Sequence, residues 1–145
     1  MPSRLAAFLL VLLAAAPLAL AHSYSFDDLR VGHLWSPLPV EDDDATAVFG
    51  ALLATGEKPI TIVGGTSPDA ERLRFRKLVD GVETWPETLV LEPGKPLGLA
   101  AWREHIWLSG LTRPLQEGDT VSLDLELSDG RHVTVESMVE NAPTD

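Results

Sequence analysis

Val121-Ser122-Leu123-Asp124-Leu125-Glu126-Leu127-Ser128-Asp129-Gly130-Arg131-His132-Val133-Thr134-Val135-Glu136 is the stretch that decides the fold of this 145-residue chain. Apolar and polar residues alternate on both sides of Asp129-Gly130. Successive side chains of a strand point to opposite faces, so Val121, Leu123, Leu125 and Leu127 share one face. Val133 and Val135 continue it after the turn. A two-residue turn would set Leu127 opposite His132 and mix the faces. A three-residue loop through Arg131 sets Leu127 opposite Val133 and keeps one face apolar, so that register is expected.

Further strands are expected upstream. Leu29 to Trp35 reads as one strand, with Leu29, Val31 and His33 on one face and Arg30 on the other, stopped by Ser36-Pro37-Leu38-Pro39. Ala45 to Thr55 is apolar without clear alternation and suits a buried strand or a short helix. Ile60 to Val63 is β-branched and ends at Gly64-Gly65. In Arg72 to Val79, Leu73 and Phe75 share one face and Arg72, Arg74 and Arg76 the other. Those arginines could dock an acidic partner, and pairing with the chain's own carboxylates is the expected arrangement. Asp80-Gly81 signals a hairpin. Thr88 to Leu91 and Leu97 to Trp102 are short extended runs. Many short alternating strands between Gly, Pro and Asp turns indicate a β-sandwich or barrel.

Glu104-His105-Ile106-Trp107-Leu108-Ser109-Gly110-Leu111 carries the chemistry. Written as a strand, it gives Ile106 and Leu108 to the core. His105, Trp107 and Ser109 lie on the other face, with an imidazole and an indole one strand period apart. Such a pair suits a metal, a ligand or a partner.

Residues 1–21 read as a secretory signal peptide. Arg4 supplies the basic start, Leu5 to Ala16 the apolar run, and Ala19-Leu20-Ala21 the cleavage site. Residues 22–145 are then a single domain beginning at His22. Nothing after residue 21 is apolar enough to span a bilayer. Loss of Arg4 leaves ten basic residues against 22 acidic ones, taking the formal charge from −11 to −12. A protein so acidic does not bind nucleic acid or anionic lipid by bulk electrostatics. The chain has no cysteine, which excludes disulfides and thiolate chemistry. The acid run Glu41-Asp42-Asp43-Asp44 lacks the EF-hand spacing and reads as a solvated loop. The histidines, His22, His33, His105 and His132, match no zinc-protease or zinc-finger spacing, and no serine lies in a nucleophile elbow. An enzyme has little direct support in the sequence; the outside alternative is a copper enzyme with a histidine brace at an N-terminal His22, for which no second histidine stands at a recognised spacing.

The order of motifs resembles the PCu(A)C copper chaperone family. Asp28-Leu29-Arg30-Val31-Gly32-His33-Leu34-Trp35 is similar to its segment after the signal peptide. His105-Ile106-Trp107-Leu108-Ser109-Gly110-Leu111-Thr112-Arg113-Pro114-Leu115-Gln116-Glu117-Gly118-Asp119-Thr120-Val121 is similar to its closing H-x-M segment. Thr55-Gly56, Thr66-Ser67-Pro68 and Gly81-Val82 resemble its turns. The resemblance implies an all-β, antiparallel, cupredoxin-like Greek-key sandwich that binds copper and passes it to a respiratory oxidase. It also implies a periplasmic or otherwise exported, monomeric protein whose partner donates or accepts copper. Carried over residue by residue, the family's first histidine falls on Phe75. Its M-x-M pair falls near Glu83 and Trp85, and its H-x-M pair on His105 and Trp107. Of the family's ligands, only the histidine at His105 is kept. The candidate metal ligands are therefore His105 and the mature terminus at His22, whose amine and imidazole together suit Cu(II). Cu(I) prefers the soft sulfur that this set lacks. The alternative is a metal-free module that binds a protein partner through Trp85, Trp107 and nearby apolar surface. His33 reads as a packed or capping histidine and His132 as an exposed strand residue.

Overall fold

The computed structural model describes residues 23–40 and 43–141. His22, Glu41 and Asp42 lie outside the described residues. Every regular element described is a strand. In chain order they are β1 (Tyr24–Phe26), β2 (Leu29–Val31), β3 (Leu34–Pro37), β4 (Thr46–Val48), β5 (Gly50–Ala54), β6 (Ile60–Thr66) and β7 (Ala70–Val79). There follow β8 (Val82–Thr84), β9 (Leu89–Leu91), β10 (Leu97–Leu99), β11 (Glu104–Leu111), β12 (Thr120–Leu127) and β13 (His132–Glu140). They form three sheets, ordered β1-β2-β5-β10, β4-β11-β7-β8 and β3-β13-β12-β6-β9.

The alternation at residues 121–135 is realised as a buried face. Val121, Leu123, Leu125, Leu127, Val133 and Val135 join Ile106 and Leu108 in one core cluster. The hairpin register differs from the expected one. Leu125 faces Val133 and Glu126 faces His132, while the Leu127 N–H donates to the Arg131 carbonyl at 2.8 Å. The three-residue loop is Ser128-Asp129-Gly130, not Asp129-Gly130-Arg131. Gly130 closes it with φ 90°, a left-handed value that glycine adopts without strain. Relative to the expected pairing the register moves by two residues, so no side chain changes face.

Other boundaries also differ. Leu29 to Trp35 is split at Gly32-His33 into β2 and β3, because the chain leaves one sheet for another. The β3–β13 pairing is parallel, an exception to the expected antiparallel order. The Ser36 and Ser137 hydroxyls, both buried, bond to each other there at 2.7 Å. Strand β6 continues through Gly64-Gly65. A Cβ at Gly65 would lie 2.6 Å from the Asp124 carbonyl of β12, so glycine permits this close pairing and does not end it. Between β7 and β8 the Asp80-Gly81 signal forms a two-residue turn. Val79 pairs with Val82, and both turn residues have positive φ, 49° and 76°, the conformation that Asp-Gly favours.

Candidate functional site

The sheet β4-β11-β7-β8 places the site. In the β11–β7 ladder Leu108 faces Leu73 and Ile106 faces Phe75 on the core side. His105 faces Arg76, Trp107 faces Arg74, and Ser109 faces Arg72 on the outer side. Phe75 is buried in the core, across the sheet from His105. A side chain at position 75 therefore lies on the core side, on the opposite face from His105. The residue that β7 presents beside Trp107 is Arg74.

Two cation–π contacts dominate this face. The Arg74 guanidinium lies 3.7 Å from the centre of the Trp85 ring, and that of Arg76 lies 4.7 Å from the Trp107 ring. Arg76 also pairs with Glu83 at 3.3 Å, because β8 sets Glu83 against Leu78 on the same face. Guanidinium over indole combines electrostatic attraction with stacking. Of the three arginines, only Arg76 forms an ion pair among the described residues, so the expectation that all three meet the chain's own carboxylates is not met. The Arg74 Nε is buried and without a hydrogen-bond partner.

His105 lies on the outer side of this sheet but is covered there. It is 1% exposed, roofed by Phe49 with ring centres 5.6 Å apart, and set beside Trp107. Its Nδ1–H donates to the Ala100 and Arg103 carbonyls, both at 3.0 Å. That fixes the tautomer and leaves Nε2 as a lone-pair acceptor, which is buried and has no partner. Burial holds its pKa below the ordinary 6.5, the two carbonyls oppose the shift, and the Arg76 charge adds to it. A cavity of about 210 Å³ beside it is lined by Leu38, Phe49, Arg76, Leu78 and Trp107, among others.

The other histidines lie elsewhere. His33 contacts Glu140 through Nε2 at 2.6 Å. His132 is exposed and bonds to Asp124 at 2.7 Å, and that hydrogen bond raises its pKa. His22 lies outside the described residues. Met138 sits on β13 opposite Trp35, on a different sheet from His105. Among the described residues no group of three His, Cys, Asp or Glu side chains could hold a metal ion. The donors around His105 do not fit copper. One imidazole nitrogen lies beside a single guanidinium-bearing side chain, Arg76, and no soft sulfur accompanies it among the described residues. The sequence singles out His105, Trp85 and Trp107 as site residues, and offers Arg72, Arg74 and Arg76 only as a separate strand face that could dock an acidic partner. Their alternation gave the common face, and only the β7–β11 pairing shows that this face carries His105 and Trp107.

A sandwich of this topology with an aromatic, histidine-bearing face defines a cupredoxin-like β domain of the PCuAC type. The copper-bound PCuAC domain from PmoF2 matches with a TM-score of 0.72 and 18% identity, over 83% of this chain and 99% of that one. The CuI-DR1885 solution structure from Deinococcus radiodurans matches with a TM-score of 0.64 and 25% identity, over 74% and 75% of the two chains. The family model "Putative lipoprotein LpqE-like" matches residues 29–139, and the chain belongs to the LpqE-like family. "Putative lipoprotein Lxx21020" of Leifsonia xyli subsp. xyli is 34% identical over 109 residues, which is 72% of this chain and 64% of that relative. This chain thus spans somewhat less than two thirds of that relative's length. These descriptions speak of lipoproteins and copper-bound or PCuAC domains and name no enzymatic activity. Among the described residues no helix is long and apolar enough to cross a membrane.

Proposed function

We propose that this protein is an exported, cell-envelope module built on the copper-chaperone fold, which binds a protein partner through the arginine–tryptophan face of β7, β8 and β11. The name of its family supports the envelope location, as does the leader-like sequence of residues 1–21. The observation that carries the binding reading is the pair of stacks, Arg74 on Trp85 and Arg76 on Trp107. At the positions where resemblance expects soft copper donors, the face offers two fixed cations on two indoles. Arginine and tryptophan are the residues that most often dominate protein interfaces.

Titration of residues 22–145 with Cu(I) and Cu(II), against a competing chelator, tests this. No binding at micromolar affinity in either state is expected. Stoichiometric binding that His105→Ala abolishes would overturn the reading.

One observation favours a second reading, in which the protein carries copper to a copper-accepting partner. The His105 Nε2 lone pair is buried and unpartnered, and it could take an ion as cargo if the mature His22 terminus supplied further donors. One extra residue ahead of His22 then weakens binding, and His105→Ala weakens it as well.

A further inference from the structure

We infer that the groove beside Arg74 takes a carboxylate-bearing, partly apolar segment of the partner protein. The inference rests on the partner-binding reading and names the chemistry of what is bound. The groove has a volume of about 270 Å³ and is lined by Val63, Gly64, Leu73, Arg74, Trp85 and Pro86, with Glu87 also on its wall. It lies at the seam where β6 of one sheet runs beside β7 of another.

Three observations point to its occupant. The first is the Arg74 Nε–H, which is desolvated yet has no acceptor among the described residues. A buried donor without a partner is costly, and a guanidinium satisfies a carboxylate through two parallel N–H bonds. Trp85 covers one face of that guanidinium at 3.7 Å, and because the Nε itself is buried an acceptor entering the groove meets the guanidinium through its Nη groups. The second is charge. The formal charge of the chain is −11, yet Arg72 and Arg74 form no ion pair among the described residues, while Arg76 next to them pairs with Glu83. Two cations without an ion pair among the described residues, on an otherwise acidic protein, select an anionic group and steer it to this face. The third is the apolar rim. Val63, Val90 and Trp85 are exposed large hydrophobic residues, and Val90 faces Thr61, two residues from Val63, across the β6–β9 ladder. A simple inorganic anion makes no use of that rim. An acidic residue followed by an apolar one uses both parts. Glu87 disfavours a carboxylate at its own end of the groove, so the acid is placed at the Arg74 end.

The floor supplies a test that leaves the arginine intact. A Cβ at Gly64 would meet no atom within 4 Å, and its φ is not left-handed. Gly64→Leu therefore fills the groove without strain in the backbone. The probes are the blocked peptide Asp-Leu-Glu-Phe and its amide counterpart Asn-Leu-Gln-Phe, followed by tryptophan fluorescence of the chelator-treated mature protein. The acidic peptide should saturate with a Kd of about 1 mM or below, and the amide peptide should bind about tenfold more weakly or not at all. Arg74→Gln and Gly64→Leu should each weaken the acidic peptide about tenfold, with unchanged thermal midpoints showing that both variants fold. Equal binding of the two peptides, or binding indifferent to both substitutions, overturns the inference. So does the absence of saturable binding, or binding to vesicles of phosphatidylglycerol and phosphatidylcholine in place of the peptide. A null result with the peptides while copper also fails to bind removes only the acidic-segment inference. Copper bound through His105 removes the reading beneath it.

Discussion

At the scale of single residues, His105 is held by geometry and carries a consequence for stability. Its folded pKa lies below 6.5, chiefly through burial, so the unfolded chain takes up its proton more readily. The contribution of the neutral buried ring is complete above about pH 6.5 and is lost as the pH falls toward the folded value. Thermal midpoints should therefore drop between about pH 7 and pH 5. In His105→Gln, whose amide can donate to the same Ala100 and Arg103 carbonyls, the slope should be shallower. An equal slope in both proteins would mean that His105 does not titrate in this range. Arg74 and Arg76 show why residue type outweighs position here. Their strand positions face His105 and Trp107, where a donor could have helped a metal, and a permanently charged guanidinium cannot donate a lone pair.

At the scale of elements, β6 shows how two adjacent glycines differ. A Cβ at Gly65 would meet the Asp124 backbone carbonyl at 2.6 Å, whereas one at Gly64 meets nothing. Gly65→Ala should cost about 1–3 kcal/mol in urea unfolding, because the obstacle is backbone and cannot turn aside. Gly64→Ala should stay within about 0.5 kcal/mol of the wild type. Equal losses would show that β6 and β12 do not pair in this register. The same elements show what the sequence could convey. Alternation made β12 and β13 legible, including every core residue from Val121 to Val135, because a period of two has one structural meaning. Asp80-Gly81 was legible because few turns accept those residues. The hairpin loop at residues 128–130 was harder, since two registers two residues apart bury the same faces. The passage of β6 through Gly64-Gly65 was hidden, because the reason for glycine lies on β12, some 60 residues away. The Arg74 contact with Trp85 was hidden although the two lie close in sequence. It depends on β8 folding back and on the chain placing an indole just past its end.

At the scale of the whole molecule, one apolar cluster joins all three sheets without a disulfide. Leu123→Ala, at 0% exposure within it, should cost about 2–5 kcal/mol by the loss of packing and the cavity left behind. The account predicts that the exported protein has an intact mass corresponding to cleavage after Ala21. A mass retaining Arg4 and Leu5 would mean an anchored chain. The central claim is that the fold of a copper-chaperone domain here carries a guanidinium–indole face in place of a metal centre. Nitrogen-15 NMR of the His105 imidazole in the mature protein, before and after one equivalent of Cu(I), tests it most directly. The account predicts the Nδ1-protonated tautomer fixed by Ala100 and Arg103, with an Nε2 resonance that copper leaves unmoved. A large shift of Nε2 on adding Cu(I), together with loss of the Trp107 indole signal, would contradict it.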